Sequence, residues 1–247
     1  MKNILNPKKL PWLALVLGVT AFVLRTLLYT FATDRKGLLV SHPLGIALGA
    51  VTVTALLLIC AGVLRWEREP LCSIWPTSWG VTTLLTTLGF GSLLFDGGFA
   101  DSRLILVRNI LAVLAILSMV LLFLLARQGR QPHFLLYTAL CLFFAVHLVS
   151  CYQLWSSNPQ IQDYVFTLMA NVGTMLYFYH KAAALVGLCQ ERRMLAIGLL
   201  AAFFCFASLD LGASLLQLCC GYWVLTDLGE VFGEKPSQEA SQDPAGE

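Results

Sequence analysis

The stretch MLAIGLLAAFFCFASLDLGASLLQLCCGYWVLTDL, Met194 to Leu228, decides the architecture. Its 35 residues are too many for one ordinary membrane span, which needs about 20. Asp210 and Gly212 interrupt it near the middle. A lone carboxylate at mid-bilayer costs about 2.5–3.5 kcal/mol even on the lenient insertion scale. The stretch therefore reads as two spans joined by a tight turn near Leu209 to Ala213. The alternative is one tilted helix followed by an interfacial one.

Upstream, six further apolar runs stand at 11–31, 43–64, 79–95, 104–126, 133–155 and 164–187. Each is long enough to span, the third barely so. The expectation is an all-α polytopic transmembrane bundle of eight spans, or seven on the alternative, occupying 1–233 as one domain. Composition agrees: the chain is 58% hydrophobic and 12% charged, with a mean hydropathy of +0.76. A soluble domain carries about 25% charged residues. Beyond the bundle, the segment 234–247 holds no aliphatic residue larger than alanine and reads as a disordered acidic tail.

Lysine and arginine favour cytoplasmic loops. One side of the bundle collects Lys2, Lys8, Lys9, Arg65, Arg68, Arg127, Arg130, Arg192 and Arg193, the other only Arg35, Lys36 and Arg103. The amino terminus is therefore expected in the cytoplasm. Trp12, Trp66, Trp75, Trp79 and Trp223 fall at inner boundaries and Tyr29, Trp155 and Tyr164 at outer ones, as amphipathic rings prefer. The first run is too long for the apolar region of a signal peptide and lacks a cleavage site, so it reads as an uncleaved span. No asparagine begins a glycosylation sequon, which fits a bacterial cell membrane.

The net charge of +2 is dispersed, and no dense basic patch favours nucleic acid. Of the eight cysteines, Cys60, Cys141, Cys205, Cys219 and Cys220 lie in apolar runs, where cysteine behaves as a small hydrophobe. Cys72 and Cys189 lie in expected cytoplasmic loops, where thiols stay reduced. There is no CxxC and no zinc-finger spacing, so no metal is expected. HExxH, GxSxG and glycine-rich phosphate loops are absent from the sequence, so an enzyme is disfavoured and no cofactor is expected. Haem between His147 and His180 is disfavoured because they lie toward opposite membrane faces.

Polar residues inside spans carry the functional signal, because their solvation cost is not repaid by packing. Arg25 lies roughly 9 Å below the outer boundary, and Arg108 and Asn109 roughly 6 to 8 Å. His147 and Asn171 lie at similar depth in the fifth and sixth runs. Asp96 closes the third run on that side, and Asp210 marks the proposed outer turn. These seven form a candidate outward-facing pocket for a small polar or anionic ligand, with His147 able to pass a proton. The competing reading is structural: the arginines snorkel to headgroups, Asp96 caps a loop, and His147 and Asn171 bond across helices.

Thr82, Thr83, Thr86 and Thr87, with Gly89, Gly91 and Ser92, suit close helix packing more than a pore. The same holds for the Gly45 and Gly49 pair. In YFYHKAAALVGL, His180 and Lys181 beside Tyr177 and Tyr179 read as a basic and aromatic anchor at the inner interface. The functional expectation is a membrane protein that binds or transports a small polar or anionic solute. Its rival is an accessory or sensor-like subunit with a membrane-protein partner, in which the polar groups only hold helices together. The lipid bilayer is a partner on either reading.

Overall fold

The computed structural model describes residues 7–32, 43–67, 70–71, 79–95, 102–155, 164–209 and 215–233. Within them the chain is all-helical, with eight α-helices. These are α1 Leu10–Ala32, α2 Pro43–Leu64, α3 Trp79–Ser92, α4 Ser102–Arg127, α5 Phe134–Trp155, α6 Val165–Leu185, α7 Glu191–Ala207 and α8 Leu215–Phe232. A short 3-10 turn precedes α1 and another, Leu93–Phe95, extends α3. The stretch 194–228 thus falls in two helices, α7 and α8. The proposed turn between them lies at 209–213, of which only Leu209 is among the described residues.

Points of close approach set the helix directions. Leu10 at the start of α1 touches Gly62 near the end of α2, and Gly80 at the start of α3 touches Phe123 near the end of α4. Gly173 of α6 meets Ala201 of α7, while Gly198 of α7 meets both Tyr177 of α6 and Leu228 of α8. Neighbouring helices therefore alternate in direction. We call the end where α1 begins the near end and the opposite one the far end.

Helices α3 to α8 form a closed ring in chain order, α8 returning to α3, and α6 also reaches α8. The α1–α2 hairpin packs outside the ring against α7. At the near end two helices stop on left-handed glycines. Gly129 (φ 65°) and Gly187 (φ 76°) let Arg130 N–H reach Leu125 O at 3.0 Å and Leu188 N–H reach Ala183 O at 2.9 Å. That six-to-one closure satisfies carbonyls a helix end leaves open.

Among the described residues, four helical segments are long and apolar enough to cross a membrane: Leu10–Ala32, Pro43–Leu64, Leu106–Arg127 and Phe134–Gln153. They show an inverted arrangement. Val16, Val19, Val23 and Leu27 of α1, Ile46, Val53 and Leu57 of α2, and Ile110, Val113 and Leu117 of α4 are exposed. Arg25, Arg108 and His147 on the same kind of helix are buried. A continuous apolar exterior of this extent marks a surface made for lipid. Helix α7, with 17 residues, is only about 26 Å long, and α3 is shorter still. Both lie against several neighbours, and α7 buries Gly198, Leu199, Ala201, Ala202, Phe203 and Cys205.

The core is aromatic. Trp223 of α8 is fully buried, stacks obliquely on Phe178 at 5.1 Å, and donates its indole N–H to Thr83 Oγ1 at 3.1 Å. Thr86 Oγ1 donates to its own helix at Thr82 O and lies 3.3 Å from Cys219 O. The threonines of α3 thus serve packing against α8, where Gly89 comes close to Leu216 and Cys219. Gly45 and Gly49 do not: nothing lies within 4 Å of a side chain placed there.

Candidate functional site

Buried polar side chains lie toward both ends of the bundle. Toward the far end are five of the seven residues expected in an outer layer, of which Arg108 and Asn109 are in hydrogen-bond contact. Arg25 is buried on α1, with its guanidinium over the rings of Tyr29 (5.4 Å) and Phe166 (5.9 Å). Arg108 of α4 is 1% exposed. It donates to Asn109 Oδ1 through Nε and Nη2 at 3.3 and 3.1 Å, and through Nη2 to Leu93 O at 3.3 Å. Both arginines are enclosed by protein, so snorkelling to headgroups does not describe them.

His147 of α5 is buried, parallel to Phe143 at 5.5 Å, with Nε2 3.6 Å from Cys151 Sγ. Its Nδ1 finds no hydrogen-bond partner among the described residues. Asn171 of α6, also buried, leaves Nδ2 in the same condition. Arg108 and Asn109 therefore meet directly, while Arg25, His147 and Asn171 enter the interior on three other helices. Asp96 and Asp210 lie outside the described residues.

The near-end cluster was not anticipated. Asp227 of α8 is 3% exposed and accepts two short hydrogen bonds on Oδ2, from Tyr177 Oη at 2.5 Å and from Lys181 Nζ at 2.6 Å. The lysine side chain is 12% exposed. Besides lying near the end of α6, where an interfacial anchor was expected, Lys181 forms an ion pair across to α8. His180, one position earlier, does lie nearer the surface, with Nδ1 3.5 Å from Cys189 Sγ. A signal for the pair existed. Lys181 stands four residues before the end of α6 and Asp227 five before the end of α8, both helices ending at the near end. Opposite charges at equal depth in two spans invite pairing.

Beside this pair opens a cavity of about 310 Å³, bounded by Leu122 and Ala126 of α4, Gln131 and Pro132 of the α4–α5 connection, Tyr137 of α5, Leu185 of α6, and Glu230 and Val231 of α8. A second hollow lies at the same end among Trp66, Pro70, Cys189, Met194 and Phe232. The described cysteines are free thiols. No group of three metal-ligating side chains occurs among the described residues.

Chemically, the far-end residues offer cationic and neutral donors, and the near-end cluster offers a fixed carboxylate and ammonium in contact. No protein-family model, curated protein or solved structure matches the chain.

Proposed function

We propose that this chain is a multi-pass protein of a bacterial cell membrane, all eight helices crossing the bilayer with the amino terminus in the cytoplasm, and that it binds or carries a small polar or anionic solute through the far-end residues. The observation that carries the reading is the pair of orphaned polar atoms, His147 Nδ1 and Asn171 Nδ2, buried on adjacent helices. Buried polar atoms in native proteins are nearly always satisfied, and a solute or water between helices would supply what the described residues do not. Arg25 and Arg108 add positive charge to the same end of the bundle, which favours an anion.

The rival reading, a non-transporting accessory subunit, is favoured by the way Arg108 already bonds Asn109 and the Leu93 carbonyl. Titrating the detergent-solubilised protein with phosphate, sulfate, acetate and bicarbonate at constant ionic strength separates the two. Solute binding predicts that at least one anion raises the unfolding temperature, and that Asn171→Leu removes this shift while the protein still folds. If no anion stabilises the parent, the far-end residues are structural.

A further inference from the structure

The near-end cavity calls for a different ligand. Its floor is the Lys181–Asp227 pair, two mostly buried charges on helices that are not consecutive. Such a pair is poor packing material: apolar residues of similar volume are usually as good or better. Ionisable groups held inside membrane helices mark solute and ion paths. About 310 Å³ lies at the small end of ligand pockets, enough for one small solute.

The charges restrict what can enter. A lone cation at Asp227 displaces the Lys181 ammonium toward the exposed carboxylate of Glu230, which also lines the cavity, and a lone anion at Lys181 draws away the ammonium that lies 2.6 Å from Asp227. A solute with its own ammonium and carboxylate replaces one charge-assisted contact by two and strands neither partner. The Tyr177 hydroxyl, donating to Asp227 Oδ2 from the buried side, holds that carboxylate in place during the exchange. We infer that the cavity between α4, α5, α6 and α8 binds a small zwitterion of the amino-acid type, its carboxylate on Lys181 Nζ and its ammonium on Asp227. Gln131 and Glu230 at the rim offer polar contacts to the solute's substituent. The site is separate from the far-end residues and does not depend on them.

The test uses the full-length protein in detergent micelles at neutral pH and constant ionic strength, with each of the twenty common amino acids, propylamine and propionate as probes. At least one amino acid should raise the unfolding temperature in a saturable way, while propylamine and propionate do not. Lys181→Met and Asp227→Asn should weaken that binding roughly a hundredfold or more. Because either variant can fail to fold, Leu185→Trp is the decisive one. Leu185 lines the cavity one helical turn from Lys181 and is 37% exposed, so a larger ring there narrows the cavity while leaving both charges in place, and should weaken binding at least about tenfold with the protein still folded. A flat response to all twenty amino acids, or an equal response to propylamine or propionate, overturns the inference. So does wild-type affinity in Leu185→Trp, which would move the amino-acid site elsewhere and leave the anion reading of the far end standing.

Discussion

Asp227 and Lys181 are opposite charges that the fold brings into direct contact from two helices. An ion pair with 12% and 4% side-chain exposure is strongly sensitive to the loss of one member. In soluble proteins such a loss costs about 3–5 kcal/mol. Lys181→Met and Asp227→Asn should each lower the unfolding temperature in micelles, and the double variant should recover part of the loss. Equal additive losses would mean that the two charges are stabilised separately. Tyr177→Phe removes one hydrogen bond to a charged acceptor and should cost about 1.5–3 kcal/mol in the same measurement. At Cys189, in the connection between α6 and α7, burial pushes the thiol up from its ordinary value and the Arg193 cation partly offsets that. A raised value means less thiolate at a given pH, so alkylation should gain speed only at higher pH than for an unperturbed thiol. Arg193→Ala removes the offset and should slow alkylation at pH 8 further. Sequence reading placed Arg25, Arg108, His147 and Asn171 inside spans, and all four are buried. Asp227 was not legible in the same way, because Asp210 breaks the apolar stretch while Asp227 stands near the end of α8, where a carboxylate does not interrupt an apolar run.

At the scale of elements, small residues decide which helices touch. A Cβ at Gly173 would meet Ala201 Cα at 2.9 Å, and one at Gly18 would meet Phe206 Cβ at 2.8 Å and Phe203 O at 3.0 Å. These neighbours are backbone or nearly so, and cannot swing away. Gly173→Leu should therefore force α6 from α7 and destabilise by about 1–3 kcal/mol or more. Gly45→Leu and Gly49→Leu, with nothing within 4 Å, should leave the unfolding temperature close to that of the parent. A substantial loss at Gly45 or Gly49 would show that a partner covers that face. The GxxxG spacing on α2 was legible and pointed to packing, yet the close approaches are made by isolated glycines on α1, α2, α3, α6, α7 and α8, among them Gly18, Gly62, Gly89, Gly173, Gly198 and Gly221. Spacing along one helix cannot say which face turns toward a neighbour.

For the whole molecule, the proposed eight-span topology puts both termini on one side of the membrane. A reporter fused after Glu234 should give a cytoplasmic signal, and Cys189 should resist impermeant thiol reagents in intact cells. A periplasmic signal would remove one span, and ready labelling of Cys189 would reverse the orientation. Apolar run lengths alone determined that this chain is a bundle of helices, where they begin and end to within a few residues, and that 194–228 forms two helices. That follows because each helix satisfies its own backbone hydrogen bonds, so its existence is a local property. Local sequence also marked the polar residues that a membrane segment must account for. Only the tertiary structure decided that α7 is the ring helix against which the α1–α2 hairpin packs, that α8 closes the ring against α3, and that Lys181 finds Asp227. Those outcomes depend on the rotation of each helix about its axis and on which helices become neighbours, and neither is encoded in the residues of any one helix.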